Sequence, residues 1–147
     1  MSKTQRIKYD EAARLRLAVG RLARRLRQEA EIDVTPSQLS ALATLDRGGA
    51  MTIGELATVE CIRPPTMTRI VAALEESELV KRSADPDDGR ACRVSITDKG
   101  IAAVKRIRDA RSAFLAARLG ALDANEVASI RAALPALERL LEVAEDK

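Results

Sequence analysis

Arg63, Thr66, Thr68, Arg69, Arg90 and Arg93 are the residues whose types and spacing could do chemistry, and that chemistry is anion and base recognition. A guanidinium donates hydrogen bonds from a planar fork that matches a guanine edge or a phosphate, and a threonine can bond a base or phosphate or touch a thymine methyl. The first cluster lies on one helical stretch. Met67, Ile70, Val71 and Leu74 recur at i, i+3, i+4 and i+7, so their face is core. The opposite face presents Pro65, Arg69 and Ala72, flanked by Thr66, Thr68 and Ala73. No acid occurs between Arg63 and Ala73, whereas Glu75, Glu76 and Glu78 follow at the far end. That polarity suits a helix entering a groove by its N-terminal half.

The second cluster is Asp88-Gly89-Arg90-Ala91-Cys92-Arg93-Val94-Ser95-Ile96-Thr97. It reads as a tight turn, an alternating strand and a helix start. Gly89 is expected to give the turn a positive φ, after the turn-forming run Asp85-Pro86-Asp87-Asp88. Cys92, Val94 and Ile96 should share one strand face and Arg93 and Ser95 the other. Arg90 at the tip is placed to enter a minor groove, and Arg93 to meet phosphate. Asp88 is expected to pair with Arg90 and hold it extended. Asp85 and Asp87 read as turn formers that cost some affinity.

The elements that must position these residues announce themselves by their caps. Tyr9 to Glu29 is helical, with Leu15, Val19, Leu22 and Leu26 along one stripe. Thr35-Pro36-Ser37-Gln38 is a capping box that opens a helix bearing Leu39, Leu42 and Leu45, and Gly48-Gly49 ends it. Thr52-Ile53-Gly54-Glu55 is a second box, for a short helix through Val59. A break at Glu60-Cys61-Ile62 precedes Arg63-Pro64-Pro65, whose prolines fit only a first helical turn, and that helix should reach about Ser77. Leu79 to Ser83 and Cys92 to Ile96 are the strands of a hairpin, and Thr97 caps a long helix carrying Ile101, Val104, Ile107 and Phe114. Asp123-Ala124-Asn125-Glu126 opens the last helix, with Val127, Ile130, Leu134, Leu137 and Leu141 in heptad-like sequence. Pro135 lies inside it at a cost of about 3 kcal/mol and should kink it without ending it. Two helices joined by about three residues, the second longer, describe a helix-turn-helix, and the hairpin beside it is a wing.

Composition narrows the function. The chain has 147 residues, enough for one domain with a proper core, and 25 basic against 22 acidic side chains. Nine basic and three acidic residues fall within 1–30, against one and five within 31–60, so positive charge gathers at the N-terminus and again between Arg63 and Arg108. With no histidine, histidine-based acid–base catalysis and most zinc sites are excluded, and no metal or cofactor is expected. Tyr9 and Phe114 are the only aromatics, too few for a stacking platform, so any nucleic acid bound is duplex DNA. Cys61 and Cys92 form no local metal or redox motif, and a structural role is expected of both. There is no apolar run of membrane-spanning length and no signal-peptide pattern, which points to a cytoplasmic protein.

The combination resembles the MarR family of bacterial winged-helix regulators over nearly the whole chain. The motifs that carry the resemblance are Asp88-x-Arg90 followed by Val94-x-Ile96-Thr97-x-x-Gly100, Leu39-x-x-Leu42-x-x-Leu45, Thr52-Ile53-Gly54-Glu55-Leu56-Ala57, and Thr66-Met67-Thr68-Arg69-Ile70-Val71-x-x-Leu74-Glu75. Pro64-Pro65 departs from the family's usual small polar residue with one proline. The resemblance implies a transcription factor, usually a repressor, that is a homodimer with interlocked terminal helices. It further implies a major-groove helix from near Arg63, Arg90 in the minor groove, and release by a small phenolic ligand or by thiol oxidation. The expected fold is mainly α with a small β-hairpin wing (α+β). Within a single domain over 1–147, a winged helix-turn-helix at 35–100 is flanked by helical dimerisation parts at 1–34 and 101–147. Leu15, Val19, Leu22, Leu134, Leu137 and Leu141 are the expected dimer contacts, because a small winged helix could not cover them alone. The expected partner is an inverted-repeat operator in double-stranded DNA. The competing class is a winged helix used purely for protein–protein contact. No spacing of Asp, Glu, Lys and Ser argues for an enzyme.

Overall fold

The computed structural model describes residues 3–29 and 34–142. They form α1 (Lys3–Glu29), α2 (Pro36–Gly48), β1 (Met51–Thr52), α3 (Ile53–Val59), α4 (Pro64–Glu76), β2 (Val80–Ala84), β3 (Cys92–Ile96), α5 (Asp98–Leu119) and α6 (Ala124–Glu142). The mainly α architecture with a small sheet is the one expected. The helix read from Tyr9 starts earlier, at Lys3, and the first hairpin strand is displaced by one residue. The sheet has three antiparallel strands in the order β1-β3-β2, not two. The additional strand is only Met51–Thr52, paired Met51↔Val94 and Thr52↔Arg93, too short to show alternation in sequence.

The capping boxes form as the sequence requires. Thr35 Oγ1 accepts from Gln38 N at 3.3 Å while Gln38 Oε1 accepts from Thr35 N at 2.8 Å. Thr52 and Glu55 repeat the exchange at the start of α3, at 3.2 and 2.8 Å. Asp123 and Glu126 do the same for α6. Each cap contributes about 1 kcal/mol by satisfying amides that the first turn leaves unpaired. Gly49, at φ 77°, closes α2 with its amide on the Leu45 carbonyl.

The core is built from α2, α3, α4 and the sheet. Leu42, Leu45, Leu56, Met67, Val71, Leu74 and Val94 are its fully buried large side chains, and Ile70, Leu39 and Ile96 pack partly buried against it. Gly100, Ala103, Val104 and Ile107 are the buried stripe of α5, at i, i+3, i+4 and i+7. Ile101, grouped with them in the sequence pattern, is exposed, because the helix meets the sheet through Gly100. A Cβ there would collide with the Leu79 carbonyl oxygen and lie 2.6 Å from Ile96 Cγ1. Thr97 reinforces this junction: its hydroxyl donates to Glu78 O at 2.7 Å and accepts from Gly100 N at 3.1 Å.

The chain divides into two compact units, one through Arg111 and one from Ser112. In the second, α6 runs through Pro135 and has no buried residue, and the Arg118 guanidinium lies over the Phe114 ring, 4.9 Å from its centre.

Candidate nucleic-acid interface

Two helices of unequal length, α3 and α4, are joined through Glu60–Arg63. α3 ends with Cys61 N donating to Thr58 O at 3.2 Å and Ile62 N to Ala57 O at 2.9 Å. This Schellman pattern needs a left-handed residue between the two bonds, and Cys61 takes that conformation at φ 52°. The Thr44 hydroxyl, on α2, donates to Glu60 Oε1 at 2.5 Å and ties the turn to the core. Arg63 then flanks α4 in extended conformation, and Pro64 and Pro65 fill its first turn, where no amide is missed.

Burial orients α4 as the periodicity requires. Met67, Val71 and Leu74 face inward, while Arg63, Pro65, Thr66, Thr68, Arg69 and Ala72 are exposed. The Thr68 hydroxyl donates to Pro64 O at 3.0 Å, so only its acceptor capacity remains free. At the far end two of the three acids are engaged: Glu75 with Arg82 at 3.0 Å and Glu78 with Lys99 at 3.1 Å. Among the described residues Arg63, Arg69 and Arg90 make no ion pair. The face is therefore cationic, solvated and uncommitted.

The wing is β2 and β3 in register from Val80↔Ile96 to Ala84↔Cys92, with the loop Asp85–Ala91 at its tip. Three details of the loop differ from the sequence reading. Gly89 does not adopt a positive φ; Ala91 N on Asp88 O at 2.9 Å closes the turn. Asp88 does not pair with the Arg90 side chain: its Oδ1 accepts from the Arg90 backbone amide at 3.0 Å, an Asx turn that shapes the tip. Asp85 is a buried structural acid, 8% exposed, accepting from Asp87 N at 2.9 Å and from Arg93 Nε at 3.0 Å.

Arg93 changes most. The sequence placed it outward, toward phosphate, but its guanidinium is held between Asp85 and the Ala50 carbonyl, the latter at 3.0 Å from Nη1. The face alternation of β3 is correspondingly incomplete: Val94 is fully buried, and Cys92, Arg93, Ser95 and Ile96 are all half-buried, because β3 is the central strand. The Asp87 amide and the Arg93 guanidinium hold the Asp85 carboxyl below the usual carboxylate range against the opposing effect of desolvation, and the same pair raises Arg93. Cys61 is exposed and Cys92 half-buried, and both are free thiols. No group of residues suited to hold a metal ion occurs among the described residues, and no helix among them is long and apolar enough to cross a membrane.

The expected dimer contacts are on open faces. Leu15, Val19 and Leu22 on α1, and Leu134 and Leu141 on α6, are exposed, with Leu137 half-buried. A cavity of about 390 Å³ lies beside α1, α2 and α5, lined by Leu26, Arg27, Leu39, Ala43 and Arg111 among others. Arg111 Nε is buried and has no hydrogen-bond partner among the described residues.

A short helix, a tight turn and a longer helix with an exposed cationic face, flanked by an arginine-tipped hairpin, define a winged helix-turn-helix DNA-binding protein. The family model for the MarR family matches residues 34–92. An HTH-type transcriptional regulator of Mycobacterium tuberculosis is 44% identical over 132 residues, covering 89% of this chain and 92% of that one. The chain belongs to the MarR family. The transcriptional repressor MdtR of Bacillus subtilis is 31% identical over 64% of this chain and 61% of its own length. Among solved structures, a Pseudomonas aeruginosa protein superposes with a TM-score of 0.84 at 37% identity, covering 93% of this chain and 98% of that one. A variant of MepR from S. aureus, bound to an oligodeoxyribonucleotide, has the same fold, with a TM-score of 0.70 at 21% identity over 89% of this chain and 97% of its own.

Proposed function

We propose that this regulator is a homodimeric repressor that binds an inverted-repeat operator in duplex DNA and is released by a small phenolic or aromatic acid. The observation that carries the reading is the exposed α4 face on which Arg63 and Arg69 make no ion pair among the described residues, together with Arg90 at the wing tip. Arg69, at the centre of that face, reads base edges in the major groove, with Pro65, Thr66 and Thr68 around it and Arg63 on phosphate. Arg90 enters the minor groove, and Asp88 shapes the turn that presents it. The likeness to the repressor MdtR supports the repressor role, and MepR bound to an oligodeoxyribonucleotide shares the fold.

Residues 35–100 form the DNA-reading part, and 1–34 with 101–147 the dimerisation parts, of which 1–2, 30–33 and 143–147 lie outside the described residues. Exposed leucines on α1 and α6 are better covered by a second copy than by water, at about 25 cal/mol per Å² buried. For the effector, the cavity beside Arg27 and Arg111 offers apolar walls and a buried donor without an acceptor. A phenolate or carboxylate on an aromatic ring satisfies both.

Footprinting on the DNA upstream of the protein's own gene, with light scattering on the same sample, tests the proposal. The expected result is a protected inverted repeat, half-sites about one helical turn apart, bound by a dimer and released by salicylate-like acids. A well-folded monomer at micromolar concentration, or binding indifferent to sequence, would overturn it.

A further inference from the structure

The strand that leads into the helix-turn-helix joins the wing by two rungs at the base of β3. β1 pairs with β3 only at Met51↔Val94 and Thr52↔Arg93. Beyond Arg93 toward the tip the sheet is a two-stranded ribbon, the arrangement in which strands twist most strongly. Arg93 thus stands on the last three-stranded rung, opposite Thr52 on one side and Ser83 on the other. Its guanidinium reaches past both neighbours, with Nε on Asp85 Oδ2 just after β2 and Nη1 on Ala50 O just before β1. Asp85 in turn spends its other oxygen on the Asp87 amide, and its own amide donates to Ala91 O across the loop. On the β1 side, Thr52 is also the N-cap of α3. One side chain therefore connects the wing loop and the central strand to the segment that leads through β1 into the first helix of the helix-turn-helix.

We infer that Asp85 and Arg93 are positioning residues for DNA binding, a lock that fixes the wing's angle to α4 so that Arg90 and Arg69 reach their grooves together. This rests on the reading of α4 and the wing as the DNA-contacting elements. The role accounts for an aspartate in the arginine-tipped wing. Its charge is buried and neutralised, unlike that of the exposed Asp87 and Asp88. A lysine cannot replace Arg93, because a single ammonium lacks the fork that serves two acceptors on different strands.

The test measures affinity and its salt dependence on a duplex selected by the wild-type protein from a random library, with folding checked by thermal melting. Simple electrostatics says that Asp85→Asn removes an acid near DNA and tightens binding. The lock says the opposite: affinity falls by about tenfold. The log–log salt slope flattens by less than about one unit, because Arg90 is displaced from its contact but keeps its charge. Arg93→Lys should behave alike although it keeps its charge, and it carries the test if Asp85→Asn does not fold. Arg90→Ala should cost less in the Asp85→Asn background than in wild type, since the misplaced wing has already lost part of that contact. Binding of Asp85→Asn at or above wild-type strength overturns the lock. So does full affinity in Arg93→Lys with a slope shallower by about one unit in Arg93→Gln, the signature of a direct phosphate contact. If the wild type selects no site, the functional reading falls and the lock with it; if the wild type selects a site and the variants match it, only the lock falls.

Discussion

Replacing Gly100 by alanine adds one methyl group where α5 meets the sheet. The new Cβ would lie 2.6 Å from Ile96 Cγ1 and 3.2 Å from the Leu79 carbonyl carbon, and would overlap the Leu79 oxygen. The isoleucine tip can rotate, but the Leu79 backbone is held at both ends. Its amide donates to Leu74 O at 2.9 Å and its carbonyl accepts from Thr97 N at 3.1 Å. The helix must move instead, which loosens Ala103 and Val104 from the core. Overpacking of this kind costs about 1–3 kcal/mol, and a weakened hydrogen bond at Thr97 adds about 1 kcal/mol. Against this, alanine gains about 0.5–1 kcal/mol over glycine within a helix. The net expectation is a loss of about 2 kcal/mol, or roughly 4–8 °C in Tm for a chain of this size. Gly54 is the control, because a Cβ there meets nothing nearer than Thr52 Oγ1 at 3.9 Å. Gly54→Ala should gain about 0.5–1 kcal/mol. Thermal melts at fixed protein concentration, so that association does not move the midpoint, decide the matter. A Gly100→Ala protein as stable as wild type would refute the reasoning that this glycine is required by close approach.

Cys61 and Glu78 each occupy the left-handed position of a Schellman helix end, at φ 52° and 61°. Replacing either with glycine should raise stability by about 0.5–1 kcal/mol, after allowing for glycine's greater entropy when unfolded; an unchanged or lower melting temperature would count against strain there. Cys61→Ser should keep DNA binding, and mild peroxide should leave the wild type bound; peroxide release that Cys61→Ser abolishes would make this thiol the sensor. The contribution of the Asp85–Arg93 pair has a definite pH window. The folded pKa of Asp85 is depressed, so its stabilisation is complete above the ordinary carboxylate value of 3.8 and is lost as pH falls through the lower folded value. The stability gap between wild type and Asp85→Asn should therefore be constant from about pH 5 to 8 and close in stronger acid. A gap that changes near neutrality, in a chain without histidine, would show that another group is responsible.

The features legible in the sequence are those set by local chemistry. Thr35, Thr52 and Asp123 with their partners three residues on mark helix starts, and Pro64-Pro65 can be read only as a first turn. The spacing of Met67, Ile70, Val71 and Leu74 orients α4. Where an outcome depends on contacts remote in sequence, local chemistry says nothing. Arg93 meets Ala50, 43 residues away, and no local pattern announces that bond. β1 is two residues long and exists only because β3 offers it an edge. Gly89 is the obvious candidate for a positive φ, yet among the described residues the non-glycine positions that take one are Cys61 and Glu78, fixed there by the helix ends that precede them. A signal for them was present, since each falls just past a helix and ahead of an apolar residue, Ile62 or Leu79, that packs back on it.

The central claim is that α4 reads bases while the wing reads backbone and groove shape. Titration of wild type, Arg69→Ala and Arg90→Ala against operator and scrambled duplex at several salt concentrations tests it most directly. Arg69→Ala should lose roughly 1–3 kcal/mol on the operator, with much less effect on the scrambled duplex, so that sequence preference relaxes. Arg90→Ala should weaken both duplexes and flatten the salt slope by roughly one unit, with preference little changed. If Arg69→Ala instead lowers both affinities equally, α4 does not read the major groove and the account is wrong.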